Sequence, residues 1–313
     1  MSDTLQIFGK TYEDVTGLVA KDSSGADVVY GYSEKLIKNW IQHDSSVKTI
    51  TWPDGLEKIG FGAFAYCTSF DVSSLPSTVT YIDQYAFYNC LGLSISSLPS
   101  GLTKIDEHAF HNCYNIQLTS LPSGLSGRLP YMVFSCCKKI SISALPSGIT
   151  HIGNYAFQGC SGITSISSDG AIEELSPYAF CGISNYPMNI KRVSFPNMVA
   201  SSFSYVFGST MTANACSLLE FADIGSTKTI GTNAFANCYA LQTLILRRNN
   251  TICSLSDISA FLNTPMHGYN SLTGTIYVPS SLISSYQTAT NWSTLYTAGT
   301  VNFVAIEGSP YEL

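Results

Sequence analysis

Ala-Phe-x-x-Cys, or a near copy of it, returns down this chain at an almost fixed interval. Ala63-Phe64 leads to Cys67, Ala86-Phe87 to Cys90, Ala109-Phe110 to Cys113, Ala156-Phe157 to Cys160 and Ala234-Phe235 to Cys238. Val133-Phe134 with Cys137, Ala179-Phe180, Val206-Phe207 and Ala260-Phe261 are looser copies. The phenylalanines lie 23 residues apart from 64 to 87, 87 to 110, 134 to 157 and 157 to 180, and 24 apart from 110 to 134; the interval then opens to 27, 28 and 26. A fixed period of roughly 20–29 residues means one supersecondary unit stacked on copies of itself, each burying its apolar face against its neighbours. Such a chain is an array rather than a globule.

Other positions keep step with the phenylalanine. Five residues before it stand Ile59, Ile82, Ile105, Leu129, Ile152, Leu175 and Ile230; eight before it stand Leu56, Val79, Leu102, Ile149 and Ile172. A proline falls eleven residues before at Pro53, Pro76, Pro99, Pro146 and Pro196, and twelve before at Pro122. Alternation in Leu93-Ser-Ile95 and Leu244-Ile-Leu246 predicts short strands with one face inward, ended by a proline that has no N–H for a ladder. Stacked turns then repeat at about the 4.8 Å spacing of a sheet.

The pattern Leu-Pro-Ser-x-x-Thr-x-Ile-x-x-x-Ala-Phe-x-x-Cys, as in Leu98 to Cys113 and Leu145 to Cys160, resembles the BspA-like (Treponema-type) leucine-rich repeats over residues 46–280. The resemblance implies a leucine-rich repeat solenoid: a β-rich, α/β horseshoe-like curved rod of about nine to ten turns of roughly 23 residues, capped at both ends. It also implies a non-enzymatic surface or secreted protein of host-associated microbes, often adhesive. Such repeats are found in phage virion proteins too.

Residues 1–35 fall outside the period and are expected to form a β cap or docking segment, with strands at Leu5-Gln-Ile7-Phe8 and from Asp27 to Tyr32. The solenoid is expected over 36–278. Residues 279–313 are expected as the closing cap, with a short helix from Ser280 to Thr288 and a loose tail at Pro310-Tyr-Glu-Leu313. Insertions near Gly182–Pro187, Gly208–Ala215 and Arg247–Tyr269 map to loops on one face.

Charge and motif narrow the function. Only 12% of residues are charged, against roughly 25% in ordinary soluble domains, and the net charge is -6. That balance argues against nucleic acid, which selects clustered Lys and Arg; the pairs Lys138-Lys139 and Arg247-Arg248 are expected as solvated turn residues. No signal peptide is visible at Met1-Ser-Asp-Thr-Leu-Gln, and no apolar run approaches the roughly 20 residues of a membrane span. Six of the ten cysteines, Cys67, Cys90, Cys113, Cys137, Cys160 and Cys238, share one column beside Phe64, Phe87, Phe110, Phe134, Phe157, Phe180, Phe207 and Phe235. Stacking holds their Cβ atoms parallel at about the strand spacing, wider than a disulfide wants, so buried free thiols are the expectation. Cys181, Cys216 and Cys253 fall outside that column and are the candidates for pairing or reactivity. Zinc-ligand spacing is absent; His108 and His111, three apart, are expected at outward variable positions, and neither metal nor cofactor is called for. Nucleophile elbows, phosphate loops and paired catalytic carboxylates are missing as well, so no enzyme is expected.

One column carries a binding signal. Six residues before each phenylalanine the chain reads Lys58, Tyr81, Lys104, Arg128, His151, Glu174, Ser201 and Thr229. Stacking aligns the first five into a basic-leaning stripe suited to an acidic glycan or protein partner; alternatively, Lys and Arg keep an exposed sheet face soluble. Two functions stand: a recognition or adhesion protein presenting one solenoid face to a protein or glycan, and a structural component of an assembly such as a phage tail.

Overall fold

The computed structural model describes residues 45–52, 54–183, 185–209 and 216–313, together with the backbone of five earlier strands. Three backbone ladders join successive turns. The first is built from the pair ending five residues before each phenylalanine. Leu36–Ile37, Lys58–Ile59, Tyr81–Ile82 and Lys104–Ile105 pair in parallel, as do Gly127–Leu129, Ile149–Ile152 and Glu174–Leu175. The second runs through the motif itself: Phe64 N–H donates to the Ala86 carbonyl, Phe87 to Ala109, Phe110 to Val133, and so on to Phe235 and Ala260. The third is a six-stranded parallel sheet of Ser165–Ser167, Arg192–Ser194, Phe221–Asp223, Thr243–Ile245, Gly274–Val278 and Val301–Ala305.

The expected strand at Leu93-Ser-Ile95 is not formed. There the third ladder holds only single bonds, such as Gln117 N–H to the Ile95 carbonyl at 2.9 Å. It becomes regular from Ser165 onward, beside turns that lengthen to 27 and 28 residues and so have chain to spare for an extended run.

The first ladder breaks between Lys104–Ile105 and Gly127–Leu129, and the sequence explains why. Asp83, Asp106 and Gly153 each donate their N–H to the isoleucine or leucine carbonyl of the turn before. The equivalent residue in the broken turn is Pro130, which has no N–H to give. The same turn carries the extra residue of the 24-residue interval, and the register slips at Gly127, whose φ is 72°.

Inside, the phenylalanines form one stack. Rings 64, 87, 110, 134, 157, 180, 207, 235 and 261 follow one another at centroid distances of 5.3–5.7 Å, and all are fully buried. Each contributes about 1.5–3 kcal/mol by burial, with ~1 kcal/mol more from ring contact. The thiols lie alongside. Cys90 Sγ donates to the Phe64 carbonyl, Cys113 to Phe87, Cys137 to Phe110 and Cys160 to Phe134, each at 3.0 Å. All ten cysteines are free and buried.

Cys216 belongs to this column, contrary to its place in the sequence. Its N–H donates to Phe207 and its Sγ to Phe180 at 2.9 Å, the two bonds made by a column cysteine. The insertion before it shifts its number, not its role. Cys181 and Cys253 are equally buried, and burial raises both thiols, Cys253 to about 12; neither has the lowered pKa of a reactive cysteine.

Toward the end, α1 (Ile283–Thr288) and α2 (Trp292–Thr297) close the array, burying Tyr286 and Trp292 against Phe303 and Phe261. The expectation of one helix misses α2. Val301–Ala305 extends the third ladder inside the expected cap. The tail is not loose: Tyr311 packs on Phe221 and Tyr277, and its carbonyl accepts from Arg247 Nη1 at 2.9 Å. At the start, Leu5–Ile7 pairs antiparallel with Lys10–Tyr12, and Leu18–Lys21 with both Asp27–Tyr30 and Thr49–Ile50. The rest of the expected segment 1–35, Pro53 and most of the Gly208–Ala215 insertion lie outside the described residues.

Candidate recognition surface

The first ladder places the stripe residues in register in two groups, Lys58 opposite Tyr81 and Tyr81 opposite Lys104, then, beyond the break, Arg128 opposite His151. It also places acids beside every cation. Lys58 Nζ lies 2.7 Å from Asp83, and Lys104 Nζ 3.2 Å from Asp106. Both ammonium groups flank the Tyr81 ring, 4.1 and 4.4 Å from its centroid. Tyr81 hydroxyl donates to Asp83 at 3.1 Å and to Asp106; burial first, then the Asp106 bond, push its pKa up to about 12. Arg128 grips Glu174 with both terminal nitrogens, at 3.3 and 2.8 Å, and His151 Nε2 stands 3.9 Å from the same carboxylate. The stripe is a neutralised ion-pair ladder. Further along, Phe203 pairs with Ile230, so Ser202 rather than Ser201 faces Thr229. At the ladder break a cavity of about 370 Å³ opens between Lys104, Asp106 and Arg128.

The first member of each basic pair is likewise partnered, while Lys139 is exposed as expected. Lys138 Nζ sits between the rings of Tyr114 and Tyr186, at 4.2 and 3.8 Å, where the Gly182–Pro187 insertion delivers Tyr186. Arg247 is largely buried and holds buried Asp223 through Nε and Nη2. Neither Lys138 nor Arg247 is the solvated turn residue expected.

Another surface feature lies two or three residues before each phenylalanine. Phe61, Tyr85, His108, Tyr131, Tyr155, Tyr178 and Tyr205 form an unbroken row with centroids 4.7–5.8 Å apart. Phe61 is 46% exposed and the others are half-buried. A second short row, Tyr66, Tyr88 and His111, runs beside its first half. The histidines are therefore only partly outward. They lie 5.6 Å apart among tyrosines, their Nδ1 atoms lack a partner, and burial lowers both pKa values, His111 to about 4.

The backbone beneath this row is unusual. Tyr85, His108, Tyr155, Tyr178 and Tyr205 have φ between 56° and 61°, the left-handed region. Gly62 and Asn233 occupy the same place in other turns. Those residues adopt it at little cost; a tyrosine costs about 1 kcal/mol or more. In the sequence the column reads as a tyrosine or histidine before Ala86, Ala109, Ala156, Ala179 and Val206, but it is displaced by one residue at Phe61 and Tyr131, which breaks its period.

Parallel turns joined by three backbone ladders around one internal phenylalanine stack define a leucine-rich repeat solenoid. The model of the BspA-type leucine-rich repeat region, in six copies, matches residues 35–141 and 128–265, and the chain belongs to that family. Repeats of this type serve binding and recognition. Similar solved structures are a leucine-rich repeat protein of T. pallidum (27% identity, 62% of this chain and 76% of that one, TM-score 0.43), a leucine-rich repeat protein from Bacteroides ovatus (17%, 98% and 91%, TM-score 0.39), and a leucine-rich cell surface protein from Faecalibacterium prausnitzii (16%, 95% and 97%, TM-score 0.28). No curated protein matches. Among the described residues no helix is long and apolar enough to cross a membrane.

Proposed function

We propose that this chain is a non-catalytic recognition and adhesion protein, presenting one solenoid face to a protein or glycan partner on or outside a host-associated bacterium. The row of half-exposed rings, with Tyr85, His108, Tyr155, Tyr178 and Tyr205 on left-handed backbone, carries the reading. Strained conformations that persist where easier residues fit are characteristic of functional surfaces. The family supports a binding role, and the chemistry of the interior supports the absence of catalysis: burial raises the thiols and lowers the two histidines away from nucleophile or base duty. On this reading Lys58, Tyr81, Lys104, Arg128 and His151, already paired with acids, flank the contact face and keep it ordered. Labelled full-length chain incubated with mucins and matrix glycoproteins tests it: saturable binding to at least one is expected, and saturable binding to none contradicts it.

A further inference from the structure

Ring orientation within the row divides its members into two kinds. Tyr85 and His108 stack at 13°, and Tyr155 and Tyr178 at 8°, so each pair hides ring faces and presents edges. Phe61 stands at 76° to Tyr85, while Tyr131 stands at 71° to His108 and 89° to Tyr155. Neither ring is stacked face to face on a neighbour in the row. Phe61 and Tyr131 are thus two flat platforms three turns apart, about 14 Å at the strand spacing. Between and beyond them lie edge-on tyrosines whose hydroxyls can donate and accept.

The immediate sequence neighbours of these rings include Gln84, Glu107 and Asn154 but no Lys or Arg. The flanking Lys58, Lys104 and Arg128 are each already paired with a carboxylate, which leaves them poorly placed to hold a strongly anionic polymer. A proline-rich helix is out of phase: it repeats every ~9.3 Å, so platforms ~14 Å apart face its opposite sides. An extended β-linked pyranose chain advances about one sugar per solenoid turn and carries C–H groups on both ring faces. The negative face of an aromatic ring attracts such C–H groups.

We propose that this row binds an extended, uncharged β-linked glycan, with Phe61 and Tyr131 stacking on sugar rings and the edge-on tyrosines hydrogen-bonding between them. The proposal rests on the recognition reading above and names its ligand class.

Affinity electrophoresis of the full chain through gels holding a neutral β-glucan or xylan, an anionic hyaluronan, or no polymer tests it, with a polyproline peptide titrated separately. Retardation by a neutral polymer alone is expected. Phe61→Ala and Tyr131→Ala should each weaken it at least tenfold, whereas Tyr131→Phe, which keeps the ring, and Lys228→Ala, on an exposed site elsewhere, should retain it. Urea midpoints confirm that each variant is folded, and Tyr131→Phe guards against loss of structure in Tyr131→Ala. Retardation by hyaluronan only, binding of polyproline only, or undiminished retardation of both alanine variants would overturn the proposal. If neutral polymers fail while an enzymatically deglycosylated mucin still binds saturably, the glycan assignment falls and the recognition reading stands.

Discussion

Asn112 shows how much one backbone angle decides. Its φ is 61°, and its side-chain amide donates to Asn89 at 2.7 Å; Asn263 does the same to Asn237. The position two after the phenylalanine is held left-handed in turn after turn, by Asn89, Asn112, Gly159, Asn237 and Asn263. Asn112→Ala should cost about 2 kcal/mol, combining strain and a lost hydrogen bond; Asn112→Gly, which relieves the strain, should cost less. Urea titration of the pair checks the order. His111 offers a second test. Burial brings its pKa from 6.5 to about 4, so the unfolded chain takes up its proton first. Stability is therefore fully present above pH ~6.5 and falls as pH drops toward 4. Thermal melts of His111→Tyr, which places there the residue Tyr88 supplies one turn earlier, should show a shallower acid slope than the parent.

At the scale of the element, the third ladder is secured by a strap the sequence does not advertise. Asp223 is buried on Phe221–Asp223, Arg247 follows Thr243–Ile245, and the Tyr311 carbonyl completes the guanidinium's bonding. Removing one member leaves a charge stranded. Arg247→Ala should destabilise the chain by about 3–5 kcal/mol, while the double change Asp223→Leu with Arg247→Met should cost much less; denaturant midpoints of both variants decide. Which elements were legible follows from period. Phe64 to Phe261, the thiols and the five-before column repeat, and repetition exposes an inward face. Asp223, Arg247, Lys138 and Tyr311 occur once each, and their partners lie 24 to 90 residues away, beyond any periodic signal. The ladder break is an intermediate case: the extra residue before Phe134 and Pro130 stand in plain view, but only the bond lost to Ile105 gives them meaning.

Across the whole molecule, the backbone ladders and the phenylalanine stack join each turn to the next, so the recognition surface inherits its spacing from the internal stack. Tyr131 and Phe61 sit three turns apart because Phe64, Phe87, Phe110 and Phe134 do. The candidate surface was half legible on this account. The basic stripe was readable as a column, but its neutralisation by Asp83, Asp106 and Glu174 needs side chains in space. Native thiol titration follows from the same packing: the ten cysteines should react slowly with a bulky disulfide reagent until urea is added, Cys136 soonest, since it alone lies at 6% exposure. The stacking itself is tested most directly by double-mutant cycles on the phenylalanines. Phe110→Leu with Phe134→Leu, adjacent at 5.6 Å, should couple by at least about 0.5 kcal/mol, whereas Phe110→Leu with Phe207→Leu should add within ~0.3–0.5 kcal/mol. Additivity for the adjacent pair, or coupling for the distant one, would contradict a single in-register row of turns.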